Sequence, residues 1–206
     1  MGSDSSASNS NSNSAPPPSL PPYLNVPPHI SIMVCEGEEE YEIMLPLGYR
    51  FVPEDHELIL FFLHKKILDR KISVNIIRDI DLYNHDPHEL SEDEFKHGRM
   101  NNEAYYFTQI DPEYTTKSSQ RRSTKSGFWR TIEEDEEIVH EEEVIGFKKT
   151  LVFHWRSNER RDWSSPWLMH EYRVNPESSQ IESLDETARE KMDRYVLCRI
   201  KLDEHD

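Results

Sequence analysis

The chain has 206 residues, 35% of them hydrophobic, and a formal net charge of −16 at pH 7. That length allows one domain of ordinary size with its own core, plus a tail. No signal-peptide pattern opens the chain, no apolar run is long enough to span a bilayer, and Cys35 and Cys198 show no CxxC spacing; together these predict a reduced, intracellular protein without a membrane partner.

Residues 1–40 read as a disordered tail, Ser/Asn-rich, then Pro-rich, then acidic, because such a composition cannot bury enough apolar surface to offset chain entropy. Within it Ile30-Ser31-Ile32-Met33-Val34 is either an edge strand or an extended linker. Residues 41–202 read as one domain, with 203–206 as a C-terminal tail. Pro53 followed by Glu54, Asp55 and Glu57 predicts a helix start, and Leu58 to Leu63 a buried helix ending near Lys65, Lys66 and Arg70. Asn84-His85-Asp86-Pro87 and Gly98-Arg99 are turns. From Ala104 onward the pattern is one of short strands, interrupted by a helix between Ser183 and Arg194. The fold class is therefore α+β, a twisted antiparallel β-sheet packed between a few helices.

Charge is unevenly placed. Residues 1–40 carry −5 and residues 133–143 carry −8, which leaves −3 for everything else. The acidic stretch 133–143 is expected to be a solvated loop, since a run of like charge repels itself and lacks the glycine and ligand spacing of a calcium loop. Against this background Lys117, Arg121, Arg122, Lys125 and Arg130 fall within fourteen residues that hold no Asp or Glu. Gly127 then leads into Phe128-Trp129-Arg130, a strand entered through a tight turn. Alternation puts Phe128 and Arg130 on one face and Trp129 on the other, where it anchors the strand. A basic strand with bulky aromatics suits a β-ribbon that enters a DNA groove and fixes itself on phosphates.

Other chemistry finds little support. His85 and His88 have no cysteine nearby to complete a tetrahedral zinc site. No GxSxG, HExxH or P-loop occurs, and His170-Glu171 lies in a strand pattern, so no catalytic residue and no metal ligand is expected.

Several blocks in order resemble the NAC domain of plant transcription factors. They are Leu45-Pro46-Leu47-Gly48-Tyr49-Arg50-Phe51 with Glu57-Leu58, Ile80-Asp81-Leu82-Tyr83, Ala104-Tyr105-Tyr106-Phe107, Ser126-Gly127-Phe128-Trp129-Arg130, Val144-Ile145-Gly146-Phe147, Trp167-Leu168-Met169-His170-Glu171-Tyr172-Arg173 and Tyr195-Val196-Leu197-Cys198-Arg199-Ile200. The resemblance implies a DNA-binding transcription regulator in the nucleus. Its partners are double-stranded DNA and a second NAC chain, as homodimer or heterodimer, with no cofactor and no small-molecule substrate. It places the dimer interface at Leu45, Gly48, Arg50 and Glu57, groove reading at Arg122, Phe128 and Arg130, and phosphate contacts at Lys117, Lys148, Lys149, Arg160 and Arg161, beside the basic Arg121 and Lys125.

Departures from the family pattern sit where bases are read. Thr131-Ile132-Glu133 stands where the family runs Ala-Thr-Gly, and Lys125 replaces a Gly. Fold and dimerisation carry over; base preference does not. The chain ends at Asp206, soon after the last strand block, without the long regulatory region expected of the family. That ending and Glu133 give a second reading, a dimerisation module that modulates other NAC proteins and binds DNA weakly itself.

Overall fold

The computed structural model describes residues 30–36, 39–45, 49–72, 76–91, 95–99, 102–110, 121–156, 163–181 and 185–203. Lys117, Arg160, Arg161 and Gly48 lie outside them. Strands β1 (Ile30–Glu36) and β2 (Glu39–Leu45) pair antiparallel, from Ile30 opposite Leu45 to Glu36 opposite Glu39. The last part of the expected tail is therefore a hairpin, and the apolar run at 30–34 takes the strand reading.

The main body is a curled, mixed sheet, a half-barrel with few helices. Its strands are β3 (Arg78–Asp79), β4 (Glu103–Gln109), β5 (Arg121–Ser123), β6 (Gly127–Thr131), β7 (Glu136–His140), β8 (Glu143–Trp155), β9 (Trp163–Val174) and β10 (Tyr195–Leu202). They lie in the order β3-β4-β10-β9-β8-β6-β5, with β7 beside β8. All pairs are antiparallel except β3–β4, and the sheet with its few helices agrees with the expected α+β class. The thirteen-residue β8 is the spine: β9 covers one edge, and β6 and β7 share the other end to end. β9 bulges opposite Phe153, where Pro166 cannot donate to the ladder and Ser165 Oγ donates to Phe153 O instead (2.8 Å).

Helix α1 runs through residues 55–67 and starts as its acidic opening predicts. Glu54 is the N-cap, and Glu57 Oε2 accepts the Glu54 N–H at 2.8 Å, satisfying one of the orphan donors of the first turn. Its middle, Leu58–Leu63, widens to i→i+5 hydrogen bonds, with His64 N–H donating to Ile59 O. Leu58, Ile59, Leu63 and Ile67 pack on Tyr105, Phe107, Tyr172 and Leu197 of the sheet. The opposite face of the same strands packs Ala104, Tyr106, Met169, Val196 and Cys198 with Leu82, Trp129 and Phe153. Helix α2 (Glu186–Arg194), the expected interruption before β10, is capped by Asp185, which accepts from Ala188 N–H at 2.8 Å. Among the described residues no helix is long and apolar enough to cross a membrane.

The acidic stretch is not a loop throughout. Glu136–His140 forms β7, because Ile138 is buried under the sheet while its neighbours stay out, and Glu136 lies opposite Lys148. The β7–β8 turn is Glu141-Glu142, both left-handed (φ 48° and 66°). A two-residue hairpin turn of this kind favours Asn-Gly, and each residue with a Cβ there costs about 1–2 kcal/mol. Replacing the pair by Glu141→Asn and Glu142→Gly should therefore stabilise the fold by ~1–2 kcal/mol in urea denaturation; no gain would mean the turn is not held in this conformation.

Candidate nucleic-acid interface

β5 and β6 form an antiparallel ribbon at the end of the sheet, with Arg121 opposite Arg130, Arg122 opposite Trp129 and Ser123 opposite Phe128. Gly127 opens β6 where the backbones approach closely. A Cβ at that position would lie 2.3 Å from His154 O and 2.4 Å from a Phe153 ring carbon, so only glycine fits without displacement. The turn before it is tied from outside the ribbon. The buried Asp86 carboxylate accepts from Thr124 Oγ1 and from Ser126 N–H (3.1 Å), and Thr124 Oγ1 accepts from Gly127 N–H (3.2 Å). Burial works against the Asp86 charge, but the bonds from Thr124 and Ser126 outweigh it and hold its pKa below the usual carboxylate range. Lys125 at the turn tip pairs with Glu89 at 2.9 Å.

The inward face of the ribbon is a buried polar contact. Arg122 is 2% exposed and its guanidinium lies 3.5 Å from Glu171 of β9, which is fully buried. Tyr83 Oη donates to the other Glu171 oxygen at 2.7 Å and lies 4.0 Å from Cys198 Sγ. Burial opposes the charge on Arg122, while Glu171 and Tyr83 keep its pKa raised. The same burial pushes the Cys198 thiol and the Tyr83 hydroxyl well above their ordinary values. Arg122, expected to read the groove, is thus buried and turned toward Glu171 in this structure.

The outward face carries Arg121 and Arg130, both exposed, and Phe128 between them and the sheet. The Arg121 guanidinium lies 4.4 Å from the Phe128 ring centre, and His154 stacks on the same ring at 5.4 Å and 7°. Phe128 shares the face with Arg130, as alternation requires, but at 5% exposure it serves as the floor under Arg121. Trp129 turns inward against Phe153.

Two of the three lysines expected on phosphates, Lys148 and Lys149, have acidic partners within the chain. Lys148 bridges Asp55 (2.9 Å) and Glu136 (2.8 Å). Lys149 pairs with Asp135 at 3.3 Å, and Asp135 also accepts from Arg173. Of the expected dimer residues, Leu45 ends β2, Arg50 is exposed and donates to Arg99 O, and the Glu57 carboxylate caps α1.

The model of the family described as No apical meristem (NAM) protein matches residues 46–174. The chain belongs to the NAC family. The NAC domain-containing proteins 37 and 79 of Arabidopsis thaliana are 38% and 36% identical to it over 155 and 167 residues, which is 75% and 81% of this chain. NAC domain-containing protein 54 of rice is 36% identical over 158 residues. The chain spans 40%, 48% and 23% of those relatives' lengths. NAC proteins are plant transcription factors rather than enzymes.

Within this NAC domain, sequence reasoning misses the residues that set the ribbon's pose: Tyr83, Asp86, His154 and Glu171. A signal exists for Glu171, a charged residue two positions from the buried Met169 on the same strand face. Asp86 has only the turn pattern Asp86-Pro87 to announce it.

Two half-buried histidines give the domain a pH dependence above the carboxylate range. Burial pushes His170 down to about 4, helped by Arg199, whose guanidinium donates to His170 Nδ1 (2.8 Å), with Lys148 and Lys201 adding to the effect and Asp55 opposing it. Burial, with Lys96 nearby, pushes His97 down to about 4 as well. Both groups stay neutral in the folded chain and take up protons near 6.5 when unfolded. Between these values the unfolded state binds more protons, so stability falls as pH drops through that window. Urea denaturation at about pH 7.5 and about pH 5 should show the loss, and a His97→Gln, His170→Gln double variant should lose less. Parallel losses in parent and variant would contradict the assignment.

Proposed function

We propose that this NAC domain regulates transcription in the nucleus by binding duplex DNA as a dimer, with the β5–β6 ribbon in the major groove. The observation that carries the reading is the cross-strand pair Arg121 and Arg130, two exposed guanidinium side chains directly opposite each other. Like charges in that register destabilise a sheet. The juxtaposition favours a polyanion between or beside them. Arg121, steadied on Phe128, suits a phosphate; Arg130, for which no ion pair is found among the described residues, suits the O6 and N7 acceptors of a guanine.

Arg130→Ala should lose discrimination between matched and mismatched duplexes by ~1–3 kcal/mol, while Arg121→Ala should weaken all duplexes alike and lower the salt slope by about one. Titrations of both variants on matched and mismatched duplexes at several salt concentrations decide this; no weakening by either would sink the DNA reading.

The ion pairs of Lys148 and Lys149 with Asp55, Glu136 and Asp135 favour the second reading, in which DNA affinity is low and the domain acts mainly through NAC partners. Mobility-shift titration with and without a NAC partner separates the two. Both readings use the same dimer, built on an Arg50–Glu57 bridge that a two-fold axis makes twice. Arg50→Ala and Glu57→Gln (which keeps an acceptor for the α1 cap) should each weaken self-association in sedimentation equilibrium. The parent's dimer constant in both variants would rule the bridge out.

A further inference from the structure

Ile132 follows Arg130 by two residues, so both side chains leave the same face of the ribbon. It lies one residue past the end of β6 and is 50% exposed, and its N–H donates to Thr150 O at 3.1 Å, which ties it to β8. A single exposed isoleucine would ordinarily need no explanation. This one is tied to β8 just beyond the end of β6, two residues from Arg130, and is followed by the exposed Glu133 and Glu134. An alkyl side chain offers phosphate nothing, and two carboxylates beside it repel phosphate. An uncharged partner is what this position can accept. Of the groups that bases show in the major groove, the C5-methyl of a pyrimidine is the apolar one.

We infer that Ile132 is a specificity-determining residue that packs against a pyrimidine C5-methyl group, carried by thymine or 5-methylcytosine. The inference rests on the DNA reading above. Two residues of strand span about 6.7 Å and two base-pair steps about 6.8 Å, so with β6 along the groove the methyl lies two base pairs from the guanine at Arg130. The Thr expected there in NAC relatives also ends in a methyl group; the longer Ile132 side chain presents more apolar surface to the same contact and so makes the preference stronger in this chain.

The test uses the full chain and duplexes that it selects from a randomised library. Each guanine is replaced in turn by 7-deazaguanine, to find the one whose effect disappears in Arg130→Ala. Each thymine is then replaced by deoxyuridine, which removes only the methyl group, and each cytosine by 5-methylcytosine. The expected result is one position, two base pairs from that guanine, where uracil weakens binding roughly fourfold, as for burying one methyl-sized group. The effect should vanish in Ile132→Ala and persist in Ile132→Val. A gain at that position for thymine alone assigns the methyl to thymine; a gain for 5-methylcytosine as well assigns it to either base. Uracil tolerated at every position, or a thymine preference unchanged in Ile132→Ala, overturns the inference and leaves the DNA reading standing. Failure to select or bind any duplex overturns both.

Discussion

Arg122 and Glu171 are two opposite charges held out of water 3.5 Å apart, and the pose of the whole ribbon follows from that contact. They come from β5, the last strand of the sheet, and β9, near its middle, with β6 and β8 between them. On a flat sheet three strand spacings would separate the two backbones by about 14 Å. The side chains meet across a curled one, with Tyr83 closing the second carboxylate oxygen. Removing one partner of a buried pair leaves the other unpaired at a cost of about 3–5 kcal/mol, which makes the inward direction of Arg122 a strong constraint. Alternation does the rest. With Arg122 turned in, Arg121 must turn out, and the register of β5 on β6 brings it opposite Arg130.

The same principle governs the cations that do not reach the surface alone. Many carboxylates of this acidic protein are committed to partners within the chain. Asp86 and Glu89 fasten the turn at Lys125, Asp55 joins α1 to Lys148, Tyr172 and Arg199, and Asp135 holds Lys149 and Arg173. Burial costs the Asp55 carboxylate, but the bonds from Lys148 and Tyr172 keep its pKa below the ordinary value. The acids at Asp135 and Glu136 therefore act locally, by pairing with specific lysines, as well as through the long-range field that a net charge of −16 exerts on an approaching polyanion.

Much of this is legible in the sequence, and the rest is hidden for physical reasons. The start of α1 shows because Glu54, Asp55 and Glu57 sit where a helix dipole and a capping box want them, and α2 falls within the interruption expected between Ser183 and Arg194. The inward Trp129 follows from strand alternation. The face taken by Arg122 does not, since two adjacent arginines reveal the sign of the charge and not which of them meets a buried carboxylate from a strand about fifty residues away. The β7–β8 hairpin is concealed twice. Its turn is Glu141-Glu142 where Asn-Gly would announce it, and the surrounding acids mask the alternation that carries Ile138 inward. For Lys148 and Lys149 the sequence shows the positive charge, and only the strand pairing shows Glu136 and Asp135 beside them.

The Arg122–Glu171 contact, rather than ribbon hydrogen bonding alone, fixes the pose of the β5–β6 edge. Amide hydrogen exchange of the parent and an Arg122→Met variant tests it most directly. The account predicts faster exchange confined to β5, the 124–126 turn and the start of β6, with β4 and β10 keeping their protection. Unchanged exchange across residues 121–131 would contradict it, and would mean that the ribbon holds its place without the buried pair.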